Sequence, residues 1–241
     1  MKKLFFLAVL LGLCGAWPAG LAAQGISKGD QMVSIFAGIG GATNETALPW
    51  DLRDDAGEPL SRAKDFGWGD ESVSFGAQYL YALNPYWALG SEYHAHFFDG
   101  STDELHGFGP GGQRFKATVD QDMDVHSVML AGRFTVNPHS SWRLYVPFGT
   151  GVSFAKATIN NSFWETDGSV SHAAAASQSN SSSSFTYYIG AGLEHPITDN
   201  WLWGLEGRYQ SFSFDYGKFA SEAGRENLHH VTVSLKLGYR L

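Results

Sequence analysis

The sequence has little cysteine, no long apolar run beyond its N-terminal region, and few cationic residues. Cys14 is the single cysteine among 241 residues, so a disulfide bond within the chain is excluded. A membrane-spanning helix needs about 20 consecutive, mostly apolar residues, and no stretch after residue 22 approaches that length. Lys and Arg total 16 against 24 Asp and Glu, for a formal net charge of −8. This balance argues against nucleic-acid binding, which relies on basic patches.

The N-terminal residues have the pattern of an export signal. Two lysines precede an apolar run from Leu4 to Leu13, and Gly20-Leu21-Ala22 supplies small residues where a signal peptidase cuts. The sequence therefore predicts a cleaved signal peptide over residues 1–22, followed by a single exported domain over residues 23–241.

The chain is rich in glycine (29 residues), in aromatic residues (15%) and in alternating segments. In the last eleven residues, Val231 to Leu241, apolar side chains alternate with Thr, Ser, Lys, Gly and Arg. Successive side chains of a β-strand point to opposite faces, so this strand has one apolar face and one polar, charged face. Such alternation is typical of a membrane-spanning β-barrel, which turns the apolar face to lipid and the polar face to the lumen.

Seven earlier segments repeat the alternation, and each is long enough to cross a bilayer when tilted. They are residues 31–41, 72–83, 87–98, 125–136, 142–157, 185–197 and 201–212. Tight turns (84–86, 137–141 and 198–200) alternate with long polar stretches (42–71, 99–124, 158–184 and 213–229). The sequence therefore predicts an all-β fold: an eight-stranded antiparallel up-and-down transmembrane β-barrel with short periplasmic turns and long extracellular loops.

Tryptophans mark one end of this predicted barrel. Trp87, Trp142 and Trp201 each follow a tight turn directly, and Trp203 lies on the same strand face as Trp201. Amphipathic rings favour the interface between hydrocarbon and head groups, so these four residues are predicted to form the periplasmic aromatic girdle. The alternative is an aromatic core in a soluble β-sandwich, which does not account for the alternation of short turns and long loops.

Two units, each a turn followed by Trp-x-x-x-x-Glu, lie at Leu83 to Glu92 and at Ile197 to Glu206. With the ending Leu235-Lys236-Leu237-Gly238-Tyr239-Arg240-Leu241, they make the chain similar to the small eight-stranded outer-membrane β-barrels, the OmpA-like and OmpX-like outer membrane protein beta-barrel domain family. The resemblance implies a Gram-negative cell outer membrane, contact with its lipid and lipopolysaccharide, and recognition of the C-terminal strand by the outer-membrane assembly machinery. Members of this group are structural proteins, adhesins, small pores or, occasionally, lipid-modifying enzymes.

Charged residues fall on the inward faces of the predicted strands. They are Glu92, Arg133, Arg143, Glu194, Glu206, Arg208, Lys236 and Arg240. The lumen of an eight-stranded barrel is just wide enough for side chains to fill, and an isolated buried charge is very costly. We therefore expect a network of ion pairs, with Glu206 and Lys236 paired directly because they lie at similar depth on neighbouring strands. The network is interpreted as an electrostatic plug, with a gated ion path as the alternative.

Glu92, His94 and His96 share one inward face and are candidate ligands for a transition metal. Successive side chains on one face of a strand are about 7 Å apart, which is loose for three ligands of one ion. A polar lining of the lumen is therefore the favoured interpretation, and neither a metal nor a cofactor is predicted.

The sequence contains no recognisable catalytic motif. It predicts a non-enzymatic, monomeric barrel with a structural or surface-interaction role. A narrow channel for ions or small solutes and a lipid A-modifying enzyme are the alternatives. A soluble periplasmic carrier is disfavoured, because the inward face is charged rather than apolar.

Overall fold

The structure, a computed structural model, describes residues 25–43, 51–53, 59–62, 72–99, 103–108, 114–165, 173–215 and 225–241. Within these ranges it contains eleven strands: β1 (Gln31–Ala42), β2 (Asp51–Arg53), β3 (Pro59–Arg62), β4 (Ser72–Ala82), β5 (Trp87–Asp99), β6 (Asp103–Phe108), β7 (Arg114–Thr135), β8 (Arg143–Glu165), β9 (Ala173–Pro196), β10 (Trp201–Asp215) and β11 (Arg225–Arg240). The described residues include no helix long and apolar enough to cross a membrane. The predicted signal peptide, residues 1–22, lies outside the described residues.

Eight of these eleven described strands close into an antiparallel barrel. Their order is β5-β4-β1-β11-β10-β9-β8-β7, and pairing of β5 with β7 closes the ring. Followed from Gly41 of β1 through successive cross-strand partners, the register returns to β1 at Gln31, ten residues away. Such a stagger requires the strands to tilt against the barrel axis. The predicted eight-stranded up-and-down barrel is confirmed.

Alternation along each barrel strand separates an outer surface from the lumen. In β4, Val73, Phe75 and Tyr79 point outward and are 39–44% exposed, whereas Ser74 and Gln78 point inward and are buried. Outward side chains are mostly apolar or aromatic because they contact hydrocarbon in a bilayer. The buried core of the protein therefore consists of the side chains that point into the lumen.

Side-chain acceptors close the short turns. We call the end of the barrel that carries these turns the turn end, and the opposite end the loop end. Asn84 Oδ1 accepts the backbone N–H groups of Tyr86 and Trp87, both at 2.9 Å. Thr198 Oγ1 accepts that of Trp201 at 3.1 Å. These bonds satisfy N–H groups that would otherwise lack partners where the strands reverse, and they place two of the predicted girdle tryptophans at the starts of strands.

Three strands extend well beyond the predicted bounds at the loop end. β7, β8 and β9 contain 22, 23 and 24 residues, whereas about 9–11 residues suffice to cross the bilayer. β6 pairs with the outer part of β7, and β2 and β3 form a separate two-stranded sheet. The predicted loops 99–124 and 158–184 are thus partly strand. Apolar alternation ends where lipid contact ends, but the hydrogen-bond ladder continues because backbone pairing does not depend on lipid-facing side chains.

Candidate functional site: the filled lumen

An apolar floor closes the turn end of the lumen. It consists of Ile26, Met32, Leu80, Ala82, Ala88, Ala131 and Leu202, all of them buried. Six of these residues belong to barrel strands, and Ile26 belongs to the segment that precedes β1. Full burial of a Leu, Ile or Met side chain contributes roughly 1.5–3 kcal/mol. The same packing separates the lumen from water at this end.

A charged layer adjoins the floor, and the part next to it is built around Glu194 of β9. Arg133 Nη1 donates to Glu194 Oε2 at 2.5 Å, and Arg143 Nε lies 3.4 Å from Glu194 Oε1. Arg133 Nε donates to Thr135 Oγ1 at 3.1 Å, and the Arg133 guanidinium lies 4.1 Å from the centroid of the Tyr145 ring. One carboxylate thus compensates two guanidinium groups that come from two neighbouring strands, β7 and β8.

The rest of the charged layer is built around Arg208 of β10. Its guanidinium donates to Glu206 on the same strand and to both carboxylate oxygens of Glu92 on β5. The ring centroids of Phe36 and Tyr188 lie 4.6 and 4.4 Å from the guanidinium carbon. Charge-assisted bonds are about twice as strong as neutral ones, and a desolvated cation–π contact contributes about 2 kcal/mol. Arg208 is therefore fully compensated although it is buried.

Lys236 of β11 joins the two parts of the charged layer. Its Nζ donates to Gln78 Oε1 at 2.6 Å and lies 3.7 Å from Glu206 Oε2. Gln78 Nε2 donates in turn to Glu92 Oε2 at 2.7 Å. The structure thus brings Glu206 and Lys236 together, as the sequence predicts. The same network contains five more of the predicted lumen residues: Glu92, Arg133, Arg143, Glu194 and Arg208.

Sequence reasoning missed the aromatic and amide members of this layer. The hydroxyl of Tyr145 donates to Glu206 Oε2 at 2.9 Å, and that of Tyr188 donates to Glu92 Oε2 at 3.1 Å. Gln78 bridges Lys236 and Glu92, as described above. The alternation of inward and outward side chains along each strand, which we call strand parity, could have identified them. All three missed residues occupy inward positions next to outward apolar ones.

The sequence predicts Arg240 as a member of the network, and the contacts described for Arg240 lie at the rim of the barrel. Its Nη1 donates to Gly25 O at 3.2 Å and lies 3.7 Å from Asp30 Oδ2, and its Nη2 donates to Asp199 O at 2.5 Å. Arg240 is the last residue of β11, so its strand has already reached the rim of the barrel. Its side chain therefore contacts the N-terminal segment and the β9–β10 turn.

A histidine layer lies next to Arg208 on the side of the loop end. The ring centroids of His94 and His96 are 3.9 Å apart, and those of His96 and His230 are 4.2 Å apart. His96 Nε2 lies 3.2 Å from Gln210 Oε1 and 3.2 Å from His230 Nε2. The three imidazoles are buried and form one continuous group, in which His94 is tilted against His96 and His230 meets His96 edge-on.

The metal candidates lie close to one another without forming a ligand set. His94 Nδ1 lies 4.0 Å from Glu92 Oε1, and the His94 ring meets the Phe36 ring edge-on at 4.9 Å. Among the residues whose placement is described, no three His, Cys, Asp or Glu side chains could hold a metal ion together. The described contacts of Glu92, His94 and His96 are therefore contacts with other lumen side chains.

A second apolar layer lies at the loop end of the lumen. Its members are Phe98, Met123, Val125, Phe212, Phe214 and Leu228, all of them buried. The His230 ring meets the rings of Phe98 and Phe212 edge-on at 5.6 and 5.9 Å. The charged and histidine layers therefore lie between two apolar layers.

The gap between the floor and the charged layer is small. A cavity of about 10 Å³ is bordered by Met32, Arg133, Glu194 and Lys236, among others, and this is about the space of one water molecule. Seven ionisable side chains, four basic and three carboxyl, contact each other, neutral polar side chains and aromatic rings. This arrangement fills the lumen and holds its charges in place.

The four predicted girdle tryptophans all lie on the outer surface at the turn end. Trp87, Trp142 and Trp201 are each 43% exposed, and Trp203 is partly covered by Trp142, with their ring centroids 5.6 Å apart. The Trp201 ring packs edge-on against Tyr239 at 4.9 Å. Their position at the starts of strands fits a ring of side chains at a membrane interface.

The chain is similar to known outer-membrane proteins. A family model described as "Outer membrane protein beta-barrel domain" matches residues 22–240. Ail, the attachment invasion locus protein of Yersinia pestis, is similar at 17% identity with a TM-score of 0.44, over 89% of this chain and 100% of its own. Neisserial surface protein A (NspA) is similar at 11% identity with a TM-score of 0.46, over 89% of this chain and 100% of its own. The outer membrane protein OprG from Pseudomonas aeruginosa is similar at 14% identity with a TM-score of 0.42, over 91% and 99%. None of the curated protein sequences matches this chain.

Proposed function

Because this chain belongs to the family of outer membrane protein beta-barrel domains, we propose that it is a non-conducting, non-enzymatic surface protein that carries a β-sheet outside the cell. One observation carries the proposal: strands β7, β8 and β9 are twice as long as a membrane crossing requires. A barrel that only filled space in the membrane would not need this extension.

The projecting sheet continues the barrel ladder into the extracellular space. β8 and β9 remain paired from the level of Phe154 to Trp164, where Trp164 faces Ala173. At about 3.4 Å per residue, ten residues correspond to about 34 Å of strand. β6 extends the same sheet beside β7. This surface is large enough to contact a partner well clear of the lipid head groups.

The filled lumen supports a non-conducting role. Two apolar layers enclose the charged layer, and the cavity between the floor and the charged layer holds about one water molecule. A narrow channel is the second candidate function, because four cations and three carboxylates inside the barrel could in principle exchange partners and admit ions. The close contacts of Arg208 and Lys236 with their partners favour the plug.

Outer-membrane lipid and lipopolysaccharide are the proposed surroundings of the barrel. Near the loop end, Phe97 and Phe154 point outward, and Lys156 pairs across strands with Asp124. This combination of rings and charges suits the boundary between acyl chains and phosphate-bearing head groups. We further propose that the protein is a monomer and that the assembly machinery recognises β11.

The experiment is to shorten the projecting sheet without touching the barrel. Thr158 and Ser179 are cross-strand partners, so residues 159–178 can be replaced by an Asn-Gly turn that joins them. We expect bacteria that carry the shortened protein to lose adhesion to cultured epithelial cells, relative to bacteria with the full chain. A structural role would be assigned instead if the full and the shortened proteins restore the detergent resistance of a deletion strain equally and neither changes adhesion.

Conductance and lipid A analysis test the two alternatives. The intact protein in planar bilayers is expected to show no ion current, and a steady single-channel current would support the channel. The mass spectrum of lipid A is expected to be the same with and without the protein, whereas a new lipid A species would assign an enzymatic activity.

A further inference from the structure

The segment Gly25–Asp30 crosses the mouth of the barrel at the turn end. Its far end pairs with β4: Gly29 N donates to Ala82 O at 2.9 Å, and Ala82 N donates to Asp30 O at 2.8 Å. Its near end lies against the β7–β8 turn, where a Cβ placed on Gly25 would be 3.4 Å from Pro138 O. The segment therefore spans from one part of the rim to another before β1 begins.

The segment folds on itself as it crosses. Ser27 N donates to Asp30 Oδ2 at 2.9 Å, and Asp30 N donates to Ser27 O at 3.2 Å. Gly29 has a φ of 96°, a conformation that side chains other than that of glycine adopt only with strain. This tight turn directs one side chain of the segment, that of Ile26, into the lumen.

Ile26 is the part of the apolar floor that does not come from a barrel strand. Its side chain is 4% exposed and packs with Met32, Leu80 and Leu202. On the lumen side of these residues lies the small cavity bordered by Ser34, Arg133 and Lys236. The floor at this point is therefore only a layer of apolar side chains between the charged layer and the rim.

On the other side of the floor lies a polar recess of about 530 Å³, open to solvent. It is lined by Gly25, Ser27, Asp30, Asp199, Asn200 and Arg240. Arg240 holds the segment at this recess through the Gly25 carbonyl and the Asp30 carboxylate, and holds the β9–β10 turn through Asp199 O. Arg240 thus connects the crossing segment to two barrel elements.

We propose that residues 25–30 are a stopper that closes the lumen from the periplasm, latched by Arg240 and seated by Ile26. Release of the latch opens the floor and admits water to the charged layer around Arg133 and Lys236. The proposal rests on the filled lumen proposed above and adds that the turn-end seal is a separable part of the chain. The loop-end seal, made by strand residues, remains closed when the stopper leaves.

A thiol introduced at Ser34 tests the stopper. Cys14 is the single cysteine, so Ser34→Cys in a Cys14→Ser background gives one reporter just inside the floor. A cationic methanethiosulfonate reagent is added to the folded protein in detergent, and labelling is followed by mass spectrometry. Ile26→Asp and, separately, Arg240→Gln are expected to speed labelling of Ser34→Cys by at least about tenfold, because labelling follows the population of the open state.

Three controls make the result specific. Ser141→Cys, on the exposed β7–β8 turn, reports the maximal rate, and Ile26→Val keeps the apolar contact and should leave the rate at position 34 unchanged. Ser127→Cys, next to the histidine layer, should stay slow in every variant, because Phe36, Tyr188 and Arg208 lie between it and the floor. Each variant must also keep the shift of gel mobility on boiling that marks a folded barrel.

The outcomes separate the stopper from the filled lumen. If Ser34→Cys in the parent protein reacts as fast as Ser141→Cys, the lumen is open and both proposals are wrong. If Ser34→Cys stays slow in folded Ile26→Asp and Arg240→Gln variants, the lumen is filled but residues 25–30 do not seal it. If Ser127→Cys speeds up equally, the variants loosen the whole barrel, and the separable stopper is rejected.

Discussion

The buried charges of the lumen depend on one another residue by residue. Removing an ion from water costs several kcal/mol even in a relaxed protein, and a partner offsets this only in close geometry with its remaining donors bonded. Arg208 meets that condition, since it bonds Glu206 and Glu92 and has an aromatic ring on each side. The network is therefore stable as a unit, and the loss of one member leaves others uncompensated.

Replacing Glu206 by Gln tests this dependence. Glu206 accepts from Arg208 and Tyr145 and lies 3.7 Å from Lys236, so a neutral amide leaves two buried cations short of compensating charge. We expect the free energy of unfolding, measured by urea titration in lipid vesicles, to fall by about 3–5 kcal/mol. Lys28→Gln, at an exposed position, should change it by less than about 0.5 kcal/mol. Equal stability of the two variants would contradict a coupled network.

Gly76 of β4 makes room for the Phe36 ring that lies against Arg208. A Cβ at position 76 would be 2.1 Å from Phe36 Cζ, so Gly76→Ala must displace that ring. Overpacking of this kind costs about 1–3 kcal/mol, which the same urea titration measures. At Gly207 the nearest atom to an added Cβ, the Ala191 carbonyl oxygen, is 4.0 Å away. Gly207→Ala should therefore be tolerated, and a comparable loss at both glycines would rule out the steric explanation.

Strand parity alone predicts which charged residues line most of the lumen. It assigns Glu206 and Lys236 to the inside, and counting from the turn end brings them to similar depth, where the structure has them. Arg240 is the exception, because parity does not tell where a strand reaches the rim. The partners of Tyr145 and Tyr188 were not predictable either, since contacts across the lumen depend on the stagger of the closed barrel, which local alternation does not record.

At the scale of strands, apolar alternation locates only the part that faces lipid. It predicts the start of β8 within a residue but ends it at 157, whereas the strand continues to Glu165. Beyond that point the ladders with β7 and β9 continue as backbone pairing, which requires no side-chain pattern of period two. β9 likewise begins at Ala173 within an Ala- and Ser-rich stretch whose composition suggested a loop.

The depth of a strand position sets how much a charge on its outer face costs. Leu205 is 45% exposed on the outer surface and lies four residues after Trp201, near the middle of the roughly 9–11 residues that cross a bilayer. Val136 lies just beyond the end of β7 at the turn end. We expect Leu205→Arg to lower the free energy of unfolding in lipid vesicles by about 2–4 kcal/mol, and Val136→Arg by about 0–1 kcal/mol. Both variants are measured in detergent as well, where the difference between them should shrink. A larger loss of unfolding free energy for Val136→Arg than for Leu205→Arg would show that the assumed position of the membrane on the barrel is wrong.

At the scale of the whole molecule, closure removes every free edge from the membrane-spanning sheet. The ladder between β1 and β11 joins the two ends of the described chain, and the ladder between β5 and β7 bridges the connection that contains β6. Because no strand can leave without breaking two ladders, the barrel and its filling should form one cooperative unit. The projecting parts of β7, β8 and β9 lie beyond the closing ladder, which ends where Asp99 pairs with Asp122, and we expect them to stand outside that unit.

This separation predicts one unfolding transition that is independent of the projecting sheet. The four tryptophans outside the girdle (Trp17, Trp50, Trp68 and Trp164) are replaced by Phe, so that tryptophan fluorescence reports the girdle at the turn end. The shift of gel mobility on boiling reports the closed barrel. For a two-state barrel the two probes give the same urea midpoint. Replacing residues 159–178 by a turn between Thr158 and Ser179 should leave the free energy of unfolding unchanged within about 0.5 kcal/mol, because the lumen layers remain intact. Two separate transitions in the full chain would mean that the barrel is not one cooperative unit. A loss of several kcal/mol on shortening would mean that the projecting sheet supports the barrel, and the division of this protein into a filled membrane cylinder and an independent extracellular surface would fail.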